Sequence, residues 1–124
     1  MFYIQKTLNT PHIKFEDGVL VISGRSIPEN AIMFFEPLFK YIVDYSKKPF
    51  VLTEVNVLLE YANSSTNRSL MTIFTLLERI FENGNNIRVN WYYETGDDLM
   101  LDLGNDFKAI LRMPFVIEEK EILY

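Results

Sequence analysis

Three consecutive hydroxyls, Ser64, Ser65 and Thr66, are the residues of this chain best placed to do chemistry. They follow a β-branched, aromatic-rich run and precede the clearest amphipathic helical pattern, so they stand where a strand gives way to a helix N-terminus. In open α/β sheets that edge is where ligands usually bind. A hydroxyl there can also cap the helix by accepting a bond from a free N–H, which is worth about 1 kcal/mol. One cap needs one hydroxyl, and two are left over. A phosphate on one of them would add about −1.5 to −2 charges at the positive end of the helix dipole. The fold tolerates that charge, and Arg68, one helical turn beyond Ser64, can pair with it. A partner that had to bury the same anion unpaired would lose affinity, and about 2.8 kcal/mol is already about a hundredfold. The junction suits a charge switch on binding.

Other chemistries fit less well. A serine nucleophile needs an adjacent general base, and His12, the one histidine, lies in a different segment, where it reads as an exposed strand-edge residue. The chain has no G-x-S-x-G elbow, no G-x-x-x-x-G-K-S/T loop and no G-x-G-x-x-G loop. The absence of cysteine excludes disulfides, thiolate metal sites and cysteine nucleophiles, and a single histidine excludes multi-histidine metal centres. Asp98, Asp102 and Asp106 recur every four residues beside Asp97, but they read as a solvated acidic helix rather than as converging magnesium ligands. Trp91, Tyr92 and Tyr93 read as strand packing. A balance of 12 basic against 17 acidic residues, net −5, argues against a nucleic-acid stacking platform. No metal and no cofactor is expected.

The elements that position the junction follow from periodicity. Residues 13–16 and 19–23 alternate apolar and polar side chains about Asp17-Gly18, which predicts a β-hairpin through a type I′ turn. Ser26-Ile27-Pro28-Glu29-Asn30 reads as a helix start, followed by a stripe at Ile32, Phe35, Leu38, Phe39, Ile42 and Val43. Pro37 is expected to kink that helix or split it near Glu36, and Lys47-Lys48-Pro49 close it. Residues 50–61 predict a strand with Val51, Thr53, Val55, Val57, Leu59 and Tyr61 on one face; Leu52 and Leu58 on the other suggest cover on both sides.

Leu70, Ile73, Phe74, Leu77, Ile80 and Phe81 form the next helical stripe, stopped at Asn83-Gly84. A strand at 87–93 follows, then a helix opened by Asp97-Asp98 and interrupted at Gly104, a further turn or two at 106–111, and a last strand at 114–117. The order ββαβαβαβ implies an α/β fold, a mixed sheet with an N-terminal hairpin and helices packed on it. Residues 1–124 read as a single domain, and 48% apolar content is enough to fold one. No apolar run approaches the roughly 18–20 residues of a membrane span, and the N-terminus lacks the layout of a signal peptide, so a soluble cytoplasmic protein is expected.

Several short motifs stand in order along nearly the whole chain. Ser23-Gly24-Arg25-Ser26-Ile27-Pro28-Glu29-Asn30 with Phe34-Phe35 is similar to the G-x-S-x-P-E-N opening of the SiaC family of regulatory phosphoproteins. Leu59-Glu60-Tyr61-Ala62-Asn63-Ser64-Ser65 resembles its Y-x-N-S/T-S strand-to-helix junction. Val89-Asn90-Trp91-Tyr92-Tyr93, Gly96-Asp97-Asp98, Gly104-Asn105-Asp106-Phe107 and Pro114-Phe115 resemble its later stretches.

The resemblance implies an STAS-like fold, related to anti-anti-sigma factors, and a non-enzymatic partner-switching role. It implies phosphorylation by a Ser/Thr protein kinase with a histidine-kinase-like ATPase fold, and removal of the phosphate by a metal-dependent SpoIIE-like Ser/Thr phosphatase. The implied output partner is a diguanylate cyclase, acting in cyclic di-GMP and biofilm signalling. The family's acceptor follows the asparagine, which carries to Ser64, ahead of Ser65 and then Thr66. Glu29, Asn30, Asn63 and Arg68 are the expected partner-binding residues. The rival expectations are a small serine hydrolase using Ser64 or Ser65, and a structural or oligomeric subunit in which the hydroxyls serve only as caps.

Overall fold

The computed structural model describes residues 1–123. Along the chain they form β1 (Phe2–Ile4), β2 (His12–Glu16), β3 (Val19–Ser26), α1 (Ala31–Tyr45), β4 (Leu52–Ala62), α2 (Ser64–Glu82), β5 (Asn86–Glu94), α3 (Asp98–Ile110) and β6 (Phe115–Lys120). The predicted hairpin is β2–β3. Its turn needs two left-handed residues and has them, with φ of 51° at Asp17 and 79° at Gly18. Gly18 is required twice over, because a Cβ there would sit 2.9 Å from the Leu52 carbonyl oxygen. β1, three residues long and absent from the sequence reading, pairs antiparallel with β2 by setting Phe2 opposite Phe15 and Ile4 opposite Ile13. So short a strand carries almost no alternation to read.

The sheet is mixed and its strands lie in sequence order, β1-β2-β3-β4-β5-β6. The first two pairings are antiparallel, and β3–β4, β4–β5 and β5–β6 are parallel. Each parallel crossover moves one strand over without a reversal, so the sheet opens no crevice at a switch of winding direction. The C-terminal edge of β4 is therefore a surface corner, not the ligand cleft such sheets often hold.

All the helices lie on one face. Phe15 packs against Tyr41 and Tyr45 of α1, and Trp91 packs against Phe74 of α2 and Phe107 of α3. Ile13, Leu20, Ile22, Val55, Val57, Leu59, Val89 and Trp91 are buried on that side. Tyr45 reaches in with its hydroxyl, 2.7 Å from the buried Thr53 Oγ1, so that the polar atom there is paired.

The opposite face is open, which corrects the expectation of cover on both sides. Its centre is polar and internally bonded: Arg88 Nε donates to Asn90 Oδ1 (3.2 Å), and Asn90 Nδ2 donates to Asn56 Oδ1 (3.0 Å) and Glu54 Oε1 (3.2 Å). Val51 lies before β4 and is 84% exposed, so it has no place on the core face.

Two helix predictions are also corrected. α1 runs unbroken through Pro37. The N–H that proline lacks would have bonded the carbonyl of Met33, and both residues lie on the exposed side, where water can serve that carbonyl. α3 runs unbroken through Gly104, which is buried beneath the Trp91 indole; a Cβ there would sit 2.5 Å from the ring. Gly104 is there for close packing rather than to end a helix. Asp97 does open α3 as expected, accepting the Met100 N–H at 3.1 Å.

Candidate functional site

The corner forms where β4 leaves the sheet. Up to Leu59, which faces Gly24, β4 pairs residue for residue with β3; beyond that, Tyr61 faces Arg25 and Ala62 faces Ser26, with Glu60 as the extra residue of a β-bulge. The bulge turns Tyr61 away from the face it was expected to share with Leu59. It is 46% exposed, with the Arg25 guanidinium 5.7 Å from its ring centroid. The Asn63 N–H then bonds the Ser26 carbonyl at 3.0 Å, the last rung before the helix.

Asn63 caps α2, and no hydroxyl does. Its side-chain Oδ1 accepts the Thr66 N–H at 2.9 Å and the Ser65 hydroxyl at 3.1 Å. Ser64, Ser65 and Thr66 therefore occupy the first three helical positions, and each has a different environment. Ser64 is exposed, and its hydroxyl has no hydrogen-bond partner among the described residues. Ser65 is half-buried and tied to Asn63. Thr66 is fully buried: its Oγ1 donates to the Ser26 carbonyl at 3.1 Å and lies 2.8 Å from Ser26 Oγ. A hydroxyl has one proton, so with Thr66 donating to the carbonyl, the Ser26 hydroxyl is the donor to Thr66.

Ser26 is the residue that sequence reading misplaced. Its position predicts the hydroxyl that opens α1, whereas Asn30 caps that helix, accepting the Met33 N–H at 3.1 Å. Ser26 instead is the buried anchor that ties the end of β3 to the start of α2.

The two helix N-termini adjoin. Glu29, Asn30, Ser65 and Arg68 line one cleft of about 260 Å³, together with the buried Ser69 and the exposed Thr72. Ser64 stands beside this cleft on the exposed side of α2, and Asn63 sits beneath it as the cap. The seven residues singled out from the sequence thus gather at one corner, with Thr66 the one that faces inward. On the other flank of α2, Glu60, Tyr61, Asn67, Asp97, Asp102 and Asp106 line a second cleft of about 360 Å³. Asn67 Oδ1 there is buried without a hydrogen-bond partner among the described residues. Its acids do not converge, and the described residues contain no cluster of His, Asp or Glu able to hold a metal ion.

His12 is the first residue of β2, outside the rungs that pair Ile13–Phe15 with β1, and has the Tyr3 ring edge-on at 5.4 Å. It is half-buried rather than exposed, which corrects that part of the expectation, and β3 separates its strand from β4 and the hydroxyls. A histidine base for Ser64 or Ser65 is therefore not at hand.

The model of the SiaC family regulatory phosphoproteins matches residues 4–120. An uncharacterized protein of Pseudomonas aeruginosa strain UCBPP-PA14 is 26% identical over 118 residues, 94% of either chain. Among solved structures, SiaC of Pseudomonas aeruginosa superposes with a TM-score of 0.89 at 26% identity, over 96% of this chain and 98% of that one. The SiaC chain of the crystal structure of the diguanylate cyclase SiaD in complex with its activator SiaC, also from Pseudomonas aeruginosa, gives a TM-score of 0.89 at 25% identity, over 97% of this chain and all of that one. Likeness on this scale carries the STAS-like mixed α/β architecture across the whole described sheet.

Proposed function

Since the chain belongs to the SiaC family of regulatory phosphoproteins, we propose that it is a partner switch set by reversible phosphorylation of Ser64. The observation that carries this reading is the sorting of three adjacent hydroxyls by burial. With Asn63 as the cap, Ser64 is the exposed hydroxyl, without a hydrogen-bond partner among the described residues, on the first residue of a 19-residue helix. A dianion there gains from the α2 dipole and from free backbone N–H groups, so modification leaves the fold intact. Ser65 is the second candidate, at the cost of its bond to Asn63, and Thr66 the last, because reaching it requires opening the Ser26 contact.

The chemistry is supplied by partners. On a Ser/Thr kinase of histidine-kinase-like ATPase fold, Ser64 Oγ attacks the γ-phosphorus of ATP and loses its proton, and ADP leaves. On a SpoIIE-like phosphatase, metal-activated water attacks the same phosphorus; the P–Oγ bond breaks, Oγ is reprotonated and inorganic phosphate departs. Neither step asks this chain for a catalytic group, a metal or a cofactor, consistent with a regulatory rather than an enzymatic role. The output partner is a diguanylate cyclase. Support comes from the relative crystallised with SiaD, of which it is the named activator. Kinase, phosphatase and cyclase would meet the corner of Glu29, Asn30, Asn63, Ser64, Ser65 and Arg68. All three act in the cytoplasm on cyclic di-GMP output and biofilm formation, with no nucleic acid or membrane involved.

Incubation with the cognate kinase and ATP, followed by phosphosite mapping, tests the reading. The modification is expected on Ser64, and cyclase binding is expected to fall about a hundredfold on modification, about 2.8 kcal/mol. Phosphate on neither Ser64 nor Ser65, or equal binding with and without it, would overturn the reading.

A further inference from the structure

We infer that Arg68 is the arm through which this switch acts. In the unmodified protein its guanidinium meets a carboxylate of the output partner, and in the modified protein the Ser64 phosphate takes it over. The inference rests on the phosphoswitch reading of Ser64 and adds how the signal reaches the docking surface.

Arg68 is exposed and enters none of the ion pairs among the described residues, which join Lys14 to Glu16, Lys40 to Glu36, Lys47 to Asp44 and Arg112 to Glu82. It borders two adjoining clefts, one shared with Glu29, Asn30 and Ser65 and one running down α2 with Leu76 and Arg79. Arg79 is likewise outside those pairs, so in a chain of net charge −5 this helix face offers uncommitted positive charge. A partner group that complements it is acidic.

Ser64 lies four residues before Arg68 on the same side of α2, the spacing at which helix side chains are neighbours. Long helical side chains lean toward the N-terminus, so Arg68 covers the turn that holds Ser64 and Ser65. Negative residue first and positive residue second is also the favourable order for such a pair. The competing anion in the cleft is Glu29, with one charge and in the loop that precedes α1. A phosphoserine brings about two charges on Arg68's own helix, with oxygens that match the guanidinium fork. Phosphorylation thus does two things at once: it adds an anion at the corner and withdraws the cation the partner needs.

The test compares wild type, Arg68→Gln and Arg68→Lys, each homogeneously phosphorylated at Ser64, by following the phosphorus NMR signal through the second phosphate ionisation. An arginine partner favours the dianion, so the wild-type midpoint is expected about half a unit or more below that of Arg68→Gln, with Arg68→Lys between them. The helix dipole acts on all three and cancels in the comparison. Unmodified Arg68→Gln is expected to bind the cognate diguanylate cyclase about tenfold more weakly than unmodified wild type. Coincident midpoints, or unchanged binding by unmodified Arg68→Gln, would overturn the inference. If phosphorylated wild type still loses the cyclase while the midpoints coincide, only the role of Arg68 falls. If Ser64 phosphorylation leaves cyclase binding unchanged, the switch itself falls with it.

Discussion

Three neighbouring hydroxyls of similar chemistry differ here by what each one touches. Thr66 is locked to Ser26 by two contacts in a fully buried setting, whereas the Ser64 hydroxyl has no partner among the described residues. Thr66→Val is expected to lower stability by about 1–3 kcal/mol, because it takes the partner of the Ser26 hydroxyl away from a site closed to water and leaves the Ser26 carbonyl with the Asn63 N–H alone. Ser64→Ala is expected to stay within about 0.5 kcal/mol of wild type. Urea unfolding followed by the fluorescence of Trp91, the single tryptophan, checks both. A large cost for Ser64→Ala would mean that the hydroxyl is structural. The run of hydroxyls was visible in the sequence, but their division of labour was not, since Thr66 is decided by a residue 40 positions away.

At the scale of the element, caps behaved as local chemistry and breakers did not. Asn30, Asn63 and Asp97 each accept a backbone N–H three residues on. Asn63→Ala is expected to cost about 0.5–2 kcal/mol in urea unfolding and to free the Ser65 hydroxyl from its bond to the Asn63 side chain. Propensity alone makes Pro37 and Gly104 interruptions; solvent beside the Met33 carbonyl accommodates the first, and close packing against Trp91 calls for the second. Propensity makes Gly104→Ala a stabilising change of about 1 kcal/mol. The 2.5 Å approach to the indole reverses the sign: the variant is expected to lose about 1–3 kcal/mol and to shift the tryptophan emission as the ring is displaced. A gain in stability would show that Trp91 can move aside freely.

Over the whole molecule, the decisive property is that helices cover one face of the sheet and leave the other to solvent. On the open face, partial burial and the carboxylates of Glu118 and Glu54 raise the Tyr92 phenol above its ordinary value, with Arg88 opposing them. A group that holds its proton more tightly folded than unfolded stabilises the fold fully below the unfolded value, about 10, and that contribution disappears as pH rises through the folded one. The urea midpoint of wild type is therefore expected to fall more steeply above about pH 10 than that of Tyr92→Phe. Parallel curves would show that Tyr92 has no such linkage. The open face had a legible sign, since Glu54, Asn56, Arg88 and Asn90 place polar groups on two central strands. The apolar Leu52 and Leu58 outweighed that sign in the sequence reading.

The sequence by itself determined the order of strands and helices from β2 onward, the hairpin turn, the stripe of α2 and the corner where the hydroxyls meet. Each of these depends on neighbours within a few residues, through side-chain period, turn geometry and capping. Only the tertiary structure decided that Asn63 rather than a hydroxyl caps α2, that Thr66 is sealed against Ser26, that the bulge at Glu60 turns Tyr61 outward, and that Arg68 has no carboxylate partner among the described residues. Those outcomes depend on contacts between segments far apart in the chain, and burial, unlike periodicity, is not set by the residues next in line.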